Sequence, residues 1–298
     1  MFKGLRVPAA ALALAGTALV LGNVGALAYP SGSVGYDIGY LQCGSRYPNT
    51  LRQAAALQPP SSAGPWWSTA TRNVPWGGLA RFRTWYRPGY AFAIVGVDSG
   101  YPFMSPAHPG NSCLADEFNH LPQPGLYVNT GYDPSYTDST HTTSSCATQS
   151  TSVTGTAEQQ AAWAVGCSEA QRDYEYAGVQ GITSAATWWL DVETANSWCG
   201  QSGTSCTDLT LNQHAIQGLI DTFTHIGAVP VGIYSNRTQW SAIVGNLPIA
   251  GVTSNWVASG RYTAQEAATY CSSSASFSGA PVTLVQFLGG PVDRDYAC

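Results

Sequence analysis

The chain has 298 residues, of which 44% are hydrophobic, 11% aromatic and only 10% charged, and its formal net charge is −5. This acidic balance argues against nucleic acid or an anionic lipid surface as a partner. The only lysine is Lys3, so the rest of the chain has no lysine for a Schiff base or a phosphate loop, whereas its many Trp, Tyr, Ser and Thr residues suit a neutral polar ligand such as a sugar.

Residues 1–28 have the pattern of a secretory signal peptide. Lys3 and Arg6 form a short cationic start, an apolar run follows, and Ala26-Leu27-Ala28 suits cleavage by signal peptidase. A retained membrane anchor is the alternative, but Gly, Thr and Asn dilute the run, which is shorter than a full bilayer span. We therefore expect a secreted protein, extracellular or associated with the cell wall. Its mature chain begins at Tyr29, is not inserted in a membrane, and has ten basic and seventeen acidic residues, a balance of −7.

Residues 29–298 form one predicted domain in which short apolar runs alternate with helical patterns. Runs typical of strands buried in a parallel sheet occur at 33–40, 90–100, 125–131, 187–193, 229–236, 254–259 and 282–287, with a last short strand near 291–295. Helices are predicted at 156–178, which begins with the capping-box sequence TAEQ, at 209–226, which Gly227 would cap, and at 263–270. This alternation predicts an α/β fold, a (β/α)8 TIM-type barrel.

Two long segments rich in small and polar residues, 58–88 and 137–154, are predicted to be loops. They either cover the barrel mouth or are surface loops braced by disulfides. All eight cysteines lie in the predicted mature chain, and an even number in an exported protein predicts disulfides rather than a zinc site. We expect the sequential pairing, Cys43–Cys113, Cys146–Cys167, Cys199–Cys206 and Cys271–Cys298.

Polar side chains end nearly every predicted strand, and in a barrel the ends of the strands meet at one mouth. They are Asp37, Asp98, Asn129, Asp191 with Glu193, Asn236, Ser259, Gln286, and Asp293 with Asp295. Asp37 and Asp98 could instead cap a helix or hold a turn.

The sequence WWLDVE places Asp191 and Glu193 on the same face of a strand, because side chains alternate along it. Repulsion between two such carboxylates, together with a nearby aromatic wall, raises the pKa of at least one of them. One carboxyl group then stays protonated while its neighbour is ionised, as glycoside hydrolysis requires.

Motifs of other chemistries do not occur in the sequence. The five histidines show no HExxH or other metal spacing, there is no GxSxG elbow, and no glycine-rich dinucleotide or phosphate loop follows a strand. A thiol nucleophile is not expected either, since all cysteines are predicted to be paired. No cofactor and no metal are therefore implied.

The motifs GYDIG, WWLDVE, GIYSN followed by RTQW, NWVAS, and VQF followed by DRD occur in this order over nearly the whole predicted mature chain. Their order resembles that of the family 25 glycoside hydrolases and of related glycoside hydrolase-like barrels in secreted actinobacterial proteins. Members of family 25 are lysozyme-type muramidases, which cut the β-1,4 bond between N-acetylmuramic acid and N-acetylglucosamine in peptidoglycan.

This resemblance implies roles for the acids at the strand ends. Glu193 would be the general acid that protonates the departing glycosidic oxygen, and Asp191 would either stabilise the oxocarbenium-like transition state or orient the substrate's N-acetyl group as an internal nucleophile. Asp37 and Asp293, for which Asp295 is a competitor, would tune pKa values and hold the sugar. The candidates for substrate binding are Asp98, Tyr127, Asn129, Trp198, Tyr234, Asn236, Trp256, Gln286 and Asp295.

Several of these candidates are aromatic and could stack on sugar rings. They are Trp198, Tyr234 and Trp256, together with Trp188 and Trp189, for which core packing is the alternative.

Three strands depart from the family pattern. The first continues as IGYLQCG and keeps only Gln42 of the usual polar motif, and the second, FAIVGVDSG, lacks the usual lysine and glutamate. The third, GLYVNTG, keeps Gly125 and Tyr127 of the usual Gly-Ala-Tyr-His-Phe and offers Asn129 as a polar group in place of the histidine. The sequence thus predicts a monomeric, secreted glycoside hydrolase that acts on peptidoglycan or a related N-acetylhexosamine glycan. A catalytically inactive carbohydrate-binding or cell-envelope protein on the same barrel is the alternative, and a purely structural protein is a third.

Overall fold

The computed structural model describes residues 29–42, 90–102, 108–245, 249–288 and 292–298. Within these ranges eight strands close into a barrel, in which each strand pairs with the next along the chain and the last pairs with the first. The strands are β1 (Val34–Ile38), β2 (Tyr90–Gly96), β3 (Pro124–Asn129), β4 (Trp188–Asp191), β5 (Val231–Ser235), β6 (Ser254–Arg261), β7 (Val282–Phe287) and β8 (Arg294–Ala297). The predicted α/β barrel is confirmed, whereas the predicted leader and the predicted loop 58–88 lie outside the described residues.

The last strand runs in the opposite direction to the others. Strands β1 to β7 are parallel to their neighbours, but β8 is antiparallel to both β7 and β1. This differs from a regular (β/α)8 barrel, in which all eight strands are parallel. Asp293 precedes β8 and Asp295 is its second residue, so the expectation that these acids end a strand is wrong. They still reach the mouth, because an antiparallel strand begins at the edge where its parallel neighbours end.

Six helices connect the strands within the described residues. They are α1 (Leu114–His120), α2 (Ser144–Ser150), α3 (Ala157–Val179), α4 (Leu209–His225), α5 (Arg237–Val244) and α6 (Ala264–Ala268). The predicted helices correspond to α3, α4 and α6 within a few residues, but α2 lies in the segment 137–154 that was predicted to be a loop. A short polar helix of this kind has too few apolar positions to show a helical period.

The predicted caps of the two long helices are confirmed. At the start of α3, the backbone N–H of Gln159 donates to Thr156 Oγ1 (3.3 Å), and the N–H of Thr156 donates to Gln159 Oε1 (2.9 Å). This reciprocal pair satisfies two donors that a helix start leaves unbonded. After α4, Gly227 has a φ of 82°, a left-handed conformation that only glycine adopts at little cost.

Large side chains fill the interior of the barrel below its mouth. The buried residues of this inner cluster are Tyr29, Phe92, Ile94, Trp189, Tyr234, Trp256, Leu284 and Ala297. Inward-facing glycines on neighbouring strands make room for the rings, since a Cβ at Gly35 would collide with Phe92 and one at Gly232 with Trp189. The barrel is therefore packed rather than hollow, and a ligand can enter only at the mouth.

Three of the predicted disulfides are confirmed, Cys146–Cys167, Cys199–Cys206 and Cys271–Cys298. Cys113 is also disulfide-bonded, and Cys43, its predicted partner, lies outside the described residues. Disulfides of this number are typical of proteins that fold in an oxidising compartment. No helix in the described ranges has both the length and the apolar character needed to cross a membrane.

Candidate active site

The structure brings the four predicted catalytic acids to the mouth of the barrel. Asp37 lies in β1, Asp191 ends β4, Glu193 follows two residues later, and Asp293 precedes β8. The backbone N–H of Asp37 donates to the carbonyl oxygen of Asp293 (3.2 Å), which joins the first and last strands at the site. A cavity of about 280 Å³ opens over Asp37, Asp293 and the ring of Tyr127.

Asp191 and Glu193 form an unequal pair. Asp191 is buried, and its Oδ1 has no hydrogen-bond partner among the described residues. Burial raises the pKa of Asp191 well above its usual value, and the negative charges of Glu193, Asp98 and Asp37 raise it further. Glu193 is half-buried and accepts a hydrogen bond at Oε1 from Gln239 Nε2 (3.1 Å). Asp191 is therefore the buried member of the pair, with a raised pKa, and Glu193 is the more accessible member.

Asp37 belongs to a hydrogen-bonded chain that crosses the barrel. Gln286 Nε2 donates to Asp37 Oδ2 (3.1 Å), and the Tyr234 hydroxyl donates to Gln286 Oε1 (2.7 Å). Burial raises the pKa of Asp37 to about 7, with a further contribution from the negative charge of Asp293. The carboxyl group can thus change its protonation state near neutral pH.

Asp295 lies deeper than Asp293. It is fully buried, and Trp256 Nε1 donates to its Oδ1 (2.7 Å). Burial raises the pKa of Asp295 well above its usual value, and the negative charge of Asp37 raises it further. Its Oδ2 has no hydrogen-bond partner among the described residues. Asp295 is therefore the less accessible of the two acids, and the half-buried Asp293 is the one that a substrate could reach.

The tryptophans proposed as stacking platforms cannot bind sugar in this structure. Trp198 and Trp256 are 0% and 2% exposed, so neither offers a ring face to solvent. Trp189 packs in the barrel interior, and Trp188 packs on Phe223 of α4 with ring centroids 4.7 Å apart. The ring of Tyr234 is also largely buried, with its hydroxyl bonded to Gln286. These rings fill the core because strands β4 to β6 have buried positions on both faces.

Asp98 and Asn129 bond to each other at the rim of the site, whereas Asn236 caps a helix and also lines the open cleft beside the mouth. The backbone N–H and the side-chain Nδ2 of Asn129 both donate to Asp98 (2.6 and 2.7 Å), and the N–H of Gly100 donates to it as well (2.8 Å). Burial nevertheless raises the pKa of Asp98 to about 6. Asn236 caps α5 by accepting from the N–H of Gln239 (3.0 Å).

Tyr127, another predicted binding residue, lies among the acids. Burial raises the pKa of its hydroxyl well above the usual value, and the charges of Asp37, Asp98 and Asp191 raise it further. The phenol therefore stays neutral at the floor of the mouth. Gln42, the one residue retained from the usual first-strand motif, accepts from the N–H of Gly39 (2.7 Å) and so holds the turn after β1.

Gln239 is a site residue that the sequence analysis missed. Its Nε2 donates to Glu193, while its Oε1 accepts from the backbone N–H of Thr194 (2.6 Å). It therefore fixes both the carboxyl group of Glu193 and the loop that carries it. Gln239 lies in the first turn of a helix that Asn236 caps and that directly follows a strand. This position was the signal in the sequence that could have placed Gln239 at the mouth of the barrel.

A second group of buried acids, Glu117, Glu169 and Asp173, was also missed. Burial raises the pKa of each of them, and that of Glu117 reaches about 7. The charge of Asp98 contributes to the raised pKa values of Glu169 and Asp173, so this group lies behind the rim of the site. Among the residues that the structure describes, no cluster of three or more His, Cys, Asp or Glu side chains could hold a metal ion.

No protein-family model matches the chain, and no curated protein matches it. Among solved structures, the chain is similar to a muramidase from Acremonium alcalophilum (15% identity, 89% of this chain and 93% of that one, TM-score 0.46). It is also similar to a muramidase from Trichobolus zukalii, with 16% identity over 89% of this chain and 93% of that one and a TM-score of 0.43. A third similar structure is a glycosyl hydrolase 25 of Streptococcus pneumoniae, with 14% identity over 70% of this chain and 77% of that one and a TM-score of 0.41. Because identity and TM-scores are low, the function proposed below rests on the geometry of this chain.

Proposed function

We propose that this protein is a secreted glycoside hydrolase that cleaves β-1,4 bonds in peptidoglycan or a related N-acetylhexosamine glycan. The observation that carries the proposal is the pairing of a buried Asp191, whose pKa is raised, with a more accessible Glu193 at the mouth of a closed barrel. Glycoside hydrolysis needs two carboxyl groups whose environments separate their proton affinities.

In the proposed reaction Glu193, the more accessible member of the pair, gives its proton to the departing glycosidic oxygen as the bond between that oxygen and the sugar ring breaks. Asp191, as a carboxylate, stabilises the positive charge that develops on the sugar ring, or it orients the N-acetyl group. A water molecule then adds to the sugar and returns a proton to Glu193. Asp37 and Asp293 hold the sugar from the opposite side of the mouth. Gln239 keeps Glu193 in position through the hydrogen bond to Oε1.

The experiment is a reducing-end assay with the purified, oxidised chain from Tyr29, incubated with peptidoglycan and with chitin oligosaccharides. Glu193→Gln removes the acid with little change in shape, and we expect a loss of about 10²- to 10⁴-fold in rate. Glu175→Gln, at an exposed position of α3, is the matched control and should retain the wild-type rate. Hydrolysis by Glu193→Gln at the wild-type rate would contradict the proposal.

A carbohydrate-binding protein without turnover is the second candidate. The observation that favours it is the mutual bonding of Asp98 and Asn129, which uses polar groups of the second and third strand ends that a substrate would otherwise meet. Saturable binding of a glycan, without new reducing ends over a long incubation, would support this function. Turnover that depends on Glu193 would exclude it.

A further inference from the structure

The mouth of the barrel continues on one side into an open cleft of about 890 Å³, a volume within the range of ligand-binding sites. The start of α5, the end of β6 and the segment 269–275 form its wall. Thr194 and Gln239 also line it, and both lie next to Glu193. A glycan held over the acid pair would therefore extend along this wall.

Two arginines on this wall are held in place by neighbouring groups. Arg237 donates from Nε and Nη2 to the carbonyl oxygen of Ser276 (3.1 and 2.9 Å). Arg261 donates from Nε to the Tyr270 hydroxyl (3.1 Å), and its guanidinium carbon lies 5.5 Å from the centroid of the same ring. These contacts fix the direction of each guanidinium group, which lowers the entropy lost when it binds a ligand.

Within the described part of the chain, neither arginine forms a salt bridge with a carboxylate. Arg261 lowers the pKa of Glu266, but the carboxylate of that residue already accepts from the N–H groups of Tyr262 and Thr263 at the start of α6. None of the described residues that line the cleft is acidic. In a chain with an acidic balance, this wall is a local positive surface.

We infer that this wall binds an anionic substituent, a carboxylate or a phosphate group, on the glycan whose backbone lies over Asp191 and Glu193. The planar guanidinium group matches both anions through paired N–H donors. The hydroxyl groups of Ser272 and Ser274 and the ring of Tyr270 on the same wall are suited to contact the attached sugar. The inference rests on the proposed function, and it replaces the expectation of a neutral ligand with that of an acidic one.

The test is a binding measurement on the Glu193→Gln variant, which separates binding from turnover. The probes are a neutral N-acetylglucosamine oligomer, an oligomer of the same length that alternates with N-acetylmuramic acid, and a polyol phosphate polymer. We expect the acidic probes to bind more tightly than the neutral one, and increasing salt to reduce that difference. The relative affinity of the two acidic probes identifies carboxylate or phosphate as the source of the charge.

Adding Arg237→Gln and Arg261→Gln together should weaken the preferred acidic probe by about 10- to 100-fold, because two charge-assisted hydrogen-bonding groups are lost. The neutral oligomer should change by less than about twofold, within the range of an exposed polar substitution. Arg237→Lys with Arg261→Lys keeps the charge and should retain the preference for an acidic probe in reduced form. This variant also shows that the fold tolerates changes at both positions.

Equal binding of acidic and neutral probes, binding of neither, or an unchanged affinity in the double glutamine variant would each overturn the inference. The two proposals fail in different ways. An arginine-dependent preference for an acidic probe, without hydrolysis by the wild type, would leave the anion site standing and remove the catalytic function. Equal rates of hydrolysis for acidic and neutral glycans would instead support the catalytic function and remove the anion site.

Discussion

Replacing Glu117 with glutamine should remove a large part of the pH dependence of stability. Glu117 is fully buried in α1, its Oε2 accepts from Asn111 Nδ2 (2.7 Å), and its Oε1 has no partner among the described residues. Burial raises its pKa to about 7. Glutamine has nearly the same shape, keeps an oxygen acceptor for Asn111 and cannot ionise, so the change isolates the charge.

The magnitude follows from the difference between the folded and unfolded pKa values. A carboxyl group with a pKa near 7 in the folded state and about 4.3 in the unfolded state changes the free energy of unfolding by roughly 3 to 4 kcal/mol. The folded state binds the proton more tightly, so this contribution is complete below about pH 4 and is lost as the pH rises through about 7. The wild type should therefore be less stable at pH 8 than at pH 5.

The assay is urea denaturation of the oxidised protein at pH 5 and pH 8, with the free energy of unfolding extrapolated to water. When the pH rises from 5 to 8, the free energy of unfolding of Glu117→Gln should fall by roughly 3 kcal/mol less than that of the wild type. Glu175→Gln, at an exposed site, should follow the wild type at both values. An equal loss in Glu117→Gln and the wild type would refute the assignment of a buried, protonated carboxyl group to this position.

Two further predictions concern the site and the barrel. Gln239→Ala removes the donor to Glu193 and should lower the rate of glycan hydrolysis by about tenfold. The free energy of unfolding, measured by urea denaturation, should change by less than about 1 kcal/mol. An unchanged rate of hydrolysis would contradict the positioning role of Gln239. Gly232→Ala places a Cβ against the ring of Trp189 and should destabilise the protein by about 1–3 kcal/mol, whereas Gly178→Ala, with no atom within 4 Å of its Cβ, should be neutral or stabilising by up to about 1 kcal/mol. Equal melting temperatures for these two glycine variants would contradict the described interior packing.

The strands and the two long helices could be predicted because their signals are local. Apolar runs identified seven of the eight strands within a few residues, and the TAEQ sequence fixed the start of α3. The reversed direction of β8 could not be predicted in the same way, because a periodic pattern has no direction. The placement of Asp293 and Asp295 at the mouth was therefore expected for the wrong reason.

The position of these acids near the ends of strands could be predicted, but their surroundings could not. The WWLDVE pattern predicts that Asp191 and Glu193 share a face of one strand, but β4 ends at Asp191 and Glu193 lies in the loop that follows it. Whether Trp256 lines the cleft or lies below it depends on the layer of the barrel that it occupies, which is set by the register of β5, β6 and β7. The bond between Asp98 and Asn129 joins residues 31 positions apart, and no local pattern reports such a contact.

The acids of the mouth lie on both sides of the seam where the chain closes on itself. Asp37 belongs to the first strand and Asp293 directly precedes the last, and the backbone N–H of Asp37 donates to the carbonyl oxygen of Asp293 across the seam. A polypeptide that has folded every strand but the final one has only part of this constellation. The proposed hydrolysis would therefore require that β8 has docked, and a partly folded chain without this strand would lack Asp293 at the mouth.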